Sequence, residues 1–160
     1  MPTIINAFAY PALTDTQSSP SINVGTLVNL DDGGQAVYVR AASNISQYNA
    51  VCIPATNIAT NATTARVANT KRVGFAQTSI ASGDYGWVQL GGKVRVVVSA
   101  SCLPGVALYT TSTEGVLDDA TVSGALVAGV VTELTASATS AMTAVAAYTM
   151  VIPVPPNVTP

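Results

Sequence analysis

Val94, Val96 and Val98 alternate along the chain with Lys93, Arg95 and Val97. Successive side chains of a strand point to opposite faces, so this period of two predicts a half-buried antiparallel strand with its charges on the wet side. The strand belongs to a longer block, 73–119, in which short apolar runs are divided by glycine turns. The block predicts strands over 73–78, 85–90, 93–99 and 106–110. Gly83-Asp84, Pro104-Gly105 and Glu114-Gly115 are its turns. Gly91-Gly92 reads as a two-residue hairpin loop, because such loops need positive φ at their central residues.

The same grammar extends outward from this block. Strands are expected over 23–30, 35–42, 50–53, 65–69, 125–134 and 145–152. Asp31-Asp32-Gly33-Gly34 forms a turn between the first two. Segment 55–64, rich in Asn, Thr and Ala, reads as an exposed loop, and so do 43–49 and 120–124. Segment 135–143 also reads as a loop, with a short helix as the alternative. Roughly nine to eleven short strands with regular turn signals predict an all-β protein, a small antiparallel β-barrel or β-sandwich. Residues 24–152 would form this domain. Val37, Val39, Ala50 and Val51 lie 57 positions before Val94, Val96, Ala107 and Leu108. Two β motifs resemble each other easily, so the echo does not by itself establish a duplication.

The ends read differently. Pro2, Pro11 and Pro20 punctuate residues 1–23, which removes amide donors and argues against a central strand. Ile4, Ile5, Phe8 and Tyr10 are apolar anchors that a solvated tail would not carry so close together. The segment is expected to be an extended arm lying on a neighbouring subunit. Residues 153–160, with four prolines, read as an extended tail of polyproline type.

Composition narrows what such a fold can do. Only 9% of the 160 residues are charged, against about 25% in ordinary soluble domains. A surface so poor in charge favours a protein packed against something, or an oligomer. Six scattered basic residues and a net charge of −2 give no basic patch, so neither nucleic acid nor an anionic membrane surface is an expected partner. No apolar run reaches the roughly 20 residues of a membrane-spanning helix. The N-terminus lacks a charged region before its apolar residues, so no export signal is expected. Cys52 and Cys102 then read as reduced, buried thiols, with a single disulfide as the alternative.

Histidine is absent. That removes the usual general base near neutral pH, the Ser-His-Asp and Cys-His arrangements, and histidine-based metal sites. Carboxylate pairs remain possible among Asp31, Asp32, Asp84, Glu114, Asp118, Asp119 and Glu133. Most of these stand beside turn glycines, where Asp serves turn geometry. Neither Asp31-Asp32 nor Asp118-Asp119 has the alternating ligands of a calcium loop. No phosphate-cradling glycine motif occurs. No catalytic residue, cofactor or metal is therefore expected. Trp87 and Tyr85 share a strand face opposite Val88 and Leu90. If Val88 and Leu90 point inward, Trp87 faces outward, where it suits an interface better than a sugar platform.

The run Gly74-Phe75-Ala76, Ile80, Gly83, Gly86, Val88, Gly92, Val94, Gly105, Leu108, Gly115 and Leu117, preceded by Gly25 and Asp32-Gly33, resembles small capsid decoration (cement) proteins of tailed bacteriophages. The resemblance covers roughly residues 24–152. It implies a small β-barrel, made in the host cytoplasm, that assembles as a homo-oligomer, a trimer being favoured. Such a protein sits on the capsid exterior, bridges major capsid protein subunits and has no catalytic residues. The capsid or inter-subunit contacts expected here are Ile4, Ile5, Phe8, Tyr10, Tyr85 and Trp87. The competing expectation is a tail- or fibre-associated or cell-surface β-module that binds a host glycan through its aromatics.

Overall fold

The computed structural model describes residues 2–4, 10–68, 70, 72–120 and 125–152, with side chains described up to residue 146. The fold is all-β, with one short helix among the described residues. Two short strands, β1 (Thr16–Gln17) and β2 (Leu27–Asn29), precede the main body. Then come β3 (Gln35–Ala41), β4 (Ala50–Cys52), β5 (Ile58–Asn61), the single-turn helix α1 (Thr64–Val67), β6 (Val73–Ala76) and β7 (Tyr85–Gln89). Strand β7 pairs with both β6 and β3, so the order β3-β5-β4-β6-β7 closes on itself. This ring is barrel 1. Strands β1 and β2 lie outside it, on β7 and β3.

The second half forms another ring. Strands β8 (Gly92–Val98), β9 (Leu108–Thr110), β10 (Leu117–Asp118), β11 (Leu126–Thr132) and β12 (Ser140–Ile152) close in the order β10-β8-β12-β11-β9. This is barrel 2. The expected single barrel over 24–152 is thus two closed barrels in series. Closure suits strands this short, because a ring leaves few unpaired edges.

The two rings share one topology. Each has a single parallel pair, β3 with β5 and β8 with β10, and each closes with four antiparallel pairs. The register Val37 opposite Val88 becomes Val94 opposite Ala144. The Tyr48 amide donates to the Ala76 carbonyl, and the Gly105 amide to that of Thr132. Tyr48 (φ 67°) and Gly105 (φ 69°) hold the same left-handed backbone, as do Asn57 (φ 57°) and Gly115 (φ 72°). The echo at 57 residues is therefore a repeated barrel.

Alternation along the strands sorts the side chains. Val37, Val39, Ala41, Val51, Ala59 and Val88 fill barrel 1. Val94, Val96, Val98, Leu108, Leu117 and Ala144 occupy the matching places in barrel 2. Outward positions on barrel 1, among them Cys52, Val73 and Phe75, belong to the same buried cluster as the barrel 2 residues. The barrels are thus joined by apolar packing. Burial pushes both free thiols, Cys52 and Cys102, up to about 11.

Four expectations need correction. Gly91-Gly92 is no hairpin loop: β7 and β8 do not pair, and the dipeptide carries the chain from barrel 1 into barrel 2. Gly92 has φ +87°, and a Cβ there would stand 2.4 Å from a carboxylate oxygen of Asp32. Segment 55–64 is not wholly a loop, since β5 lies within it and supplies the parallel pair. Residues 65–67 of the expected 65–69 strand lie in α1, because the Thr63 side chain caps the turn by accepting the Arg66 amide. Finally, β12 begins at Ser140, inside the expected loop 135–143, because the β8 edge is there to pair with it.

The arm also differs from expectation. Its described residues lie on the chain's own barrel 1. Ile4 bridges Leu30, the Thr3 amide and hydroxyl donate to Asp31, and β1 pairs with β7. The proline tail, 153–160, is outside the described residues.

Candidate functional site

The aromatic residues singled out from the sequence form one cluster on the outer wall of barrel 1. Tyr38 and Trp87 are directly opposed across β3 and β7. Their rings meet edge to face at 5.1 Å, Tyr10 meets Trp87 at 6.1 Å, and Tyr85 stacks on Tyr38 at 6.2 Å. Such geometries let positive ring edges meet negative faces. The Trp87 indole N–H donates to the Pro11 carbonyl at 3.1 Å, and the Tyr38 hydroxyl donates to Gln17. Burial pushes the Tyr38 phenol above its ordinary range.

Trp87 does project out of the barrel, as the alternation required, but it is fully buried. The arm covers it, with Leu13, Ile22 and Tyr10 in the same cluster. Trp87 therefore has no face to offer a capsid, another subunit or a sugar, and its expected role as an interface anchor is withdrawn. Sequence alternation locates the side of a strand but not what lies on it. Ile4, Tyr10 and Tyr85 remain half-buried around the same cluster. Ile5 and Phe8 lie outside the described residues.

The acids do not gather freely either. Asp31 and Asp32 both line a cleft of about 560 Å³ between the barrels, with Pro2, Tyr48, Gln77, Lys93, Val94, Arg95 and Thr143. The Thr3 hydroxyl and amide hold the Asp31 carboxyl below its usual range. Asp32 accepts the amides of Gly34 and Lys93 at 2.9 and 2.7 Å. Arg95 lies 4.5 Å over the Tyr48 ring. Glu114 pairs with Arg66 at 2.7 Å and accepts from Asn61, while Asp119 accepts the Leu103 amide. These carboxylates are occupied by backbone amides, hydroxyls or an ion pair, an arrangement that suits anchoring more than proton transfer. Among the described residues, no three of His, Cys, Asp and Glu lie together as metal ligands.

Barrel 1 braces barrel 2 through side chains that imitate a strand. Along β8, the Arg95 amide donates to the Gln77 side chain, and that side chain donates back to the Arg95 carbonyl. The Gln89 side chain donates to the carbonyls of Gly91 and Lys93, and the Val97 amide donates to the Tyr48 carbonyl. These bonds satisfy a strand edge that would otherwise be bare. On barrel 1 the corresponding edge of β3 is covered by β2.

Exposed apolar side chains lie away from the aromatic cluster, at Val24, Leu27 and Ile58 on barrel 1 and at Leu103, Val131, Leu134 and Val145 on barrel 2. On barrel 2, Val131 (38% exposed) stands opposite Val145 (46%), and Leu134 (65%) follows at the end of β11. Nothing in the local sequence marks these residues, since an outward valine on a strand looks like any other. The repeat does mark Val131 and Val145, because their barrel 1 counterparts, Phe75 and Gln89, are buried.

No protein-family model matches the chain, and no curated protein matches it in sequence. Among solved structures, the chain is similar to the N base of the head fiber gp8.5 in bacteriophage phi29. Identity is 16%, over 72% of this chain and 95% of that one, with a TM-score of 0.49.

Proposed function

We propose that this chain is a non-enzymatic structural protein of a bacteriophage virion. It binds the exterior of the capsid and stabilises the shell by bridging major capsid protein subunits. The observation that carries this reading is the open apolar wall of barrel 2, in a chain with 9% charged residues. Few ions need desolvating when such a wall is covered, and repetition over many symmetric sites multiplies a modest contact into strong retention. The acids of the inter-barrel cleft are engaged in holding loops and the arm, which favours a structural over a hydrolytic role. The competing glycan reading needs an exposed aromatic platform, and the buried Trp87 supplies none.

The test is to mix the purified chain with shells of the cognate major capsid protein, then measure co-sedimentation, copy number and shell melting. Binding at a fixed ratio with a raised melting temperature is expected. A chain left wholly in the supernatant would sink the reading.

A further inference from the structure

The repeat allows each wall position of barrel 2 to be compared with one whose surroundings are known. On barrel 1 the row Ala36–Gln89–Phe75 crosses β3, β7 and β6. All three residues are fully buried. The matching row on barrel 2 is Lys93–Val145–Val131, crossing β8, β12 and β11, and all three are exposed.

Where no described residue covers barrel 2, most of its wall has a composition suited to water. Arg95 and Thr143 stand where barrel 1 has Tyr38 and Trp87, and Lys93 stands where it has Ala36. The exception is the centre of the row. Val145 replaces Gln89, a change from polar to apolar at a position that has gained exposure, and Val131 replaces Phe75 without becoming polar. Leu134 adds a third exposed apolar side chain just beyond.

We propose that the Val131–Val145 wall of barrel 2 is a self-association surface, which packs against the same wall of a second copy across a two-fold axis. Three observations select this occupant. The patch is the repeat counterpart of Phe75 and Gln89, through which barrel 1 already carries a neighbouring barrel. Head-to-tail repetition of that contact is blocked, because β2 occupies the β3 edge that a second copy's barrel 1 would have to present. The charges at the patch are complementary to themselves: Lys93 and Glu133 flank it and lie 3.8 Å apart as an exposed pair within the chain. Across a two-fold axis each can face its opposite on the partner, as an isologous contact requires. The inference concerns the free protein, in which a second copy covers the wall that the capsid reading assigns to the shell, so the dimer must open before that wall meets a capsid.

The experiment is light scattering and sedimentation equilibrium on the full chain in the absence of shells. The wild type should show twice the chain mass at micromolar concentration. Val145→Asp should raise the dissociation constant ~30-fold or more, as loss of a central contact does. Lys93→Glu should weaken the dimer, and Lys93→Glu combined with Glu133→Lys should restore it. Ile58→Asp, exposed on barrel 1, should leave the mass unchanged. A wild type that is monomeric or trimeric, a dimer indifferent to Val145→Asp, or no rescue by the charge exchange would each overturn the proposal. If Val145→Asp fails to fold, the exchange pair still decides the matter.

Discussion

Barrel 1 and barrel 2 have the same strand order and matching registers of β3 on β7 and β8 on β12, with a bulge in β11 that β6 lacks, yet their outer walls differ. The interiors show how one topology tolerates two packings. Barrel 1 places Ala41 and Ala59 where barrel 2 has Val98 and Leu117. Conversely, Ile45, Ile80 and Val88 of barrel 1 match Cys102, Ala136 and Ala144. Volume has moved from one end of the set to the other, and each ring remains filled, as dense packing demands. The outer walls are under no such shared constraint. Their composition follows whatever lies against them: aromatic under the arm, glutamine where a strand edge must be met, Arg and Thr where water is the neighbour. The Val131–Val145 centre departs from that rule.

Trp87→Ala offers the hardest test of this contrast. Removing a buried indole should cost about 3–5 kcal/mol. It should also release the arm, read as proteolysis between residues 10 and 23. Thr143→Ala, at the counterpart position, should stay within about 0.5 kcal/mol. Equal losses in chemical denaturation would mean that the two walls are not used differently.

The seam between the barrels comes next. Gly92→Ala must place its Cβ against Asp32 in a left-handed backbone, at a cost on the order of 1–3 kcal/mol. Gly33→Ala is the reference, since Gly33 has φ +80° but open space for a Cβ, and about 1 kcal/mol is expected there. The excess at Gly92 measures the seam.

A smaller effect should appear with pH. Cys52 and Cys102 are raised from 9.0 to about 11 by burial, Cys102 also by Asp119 and Asp118. A raised folded pKa gives stability that is fully present below the unfolded value and is lost as pH rises through the folded one. Denaturation midpoints should therefore hold up to pH 9.0 and fall toward about 11. The Cys52→Ala, Cys102→Ala double variant should flatten this decline, and the wild-type thiols should alkylate only on unfolding.

Asp31→Asn should have the mildest effect, because the site is exposed. Asp31 is depressed below 3.8 by Thr3, so its contribution is present above 3.8 and fades as pH falls through its lowered folded value. Faster exchange of the Asp31 amide, which donates to the Thr3 carbonyl, is the expected sign. Unchanged exchange would mean that the clamp contributes nothing to holding the arm.

The amino-acid sequence by itself determined the all-β class, the inward set Val94, Val96 and Val98, the wet positions Lys93 and Arg95, and the faint echo at 57 residues. These depend on side-chain alternation and turn chemistry, which act over a few residues. Only the tertiary structure decided that the echo is a second closed ring, that Gly91-Gly92 links two barrels, and that Trp87 lies under the arm. It also decided that the open apolar wall is at Val131 and Val145. Each of these depends on which distant segment covers a given face. That choice is made by long-range packing, and a strand's local pattern carries no record of what lies on its outer side.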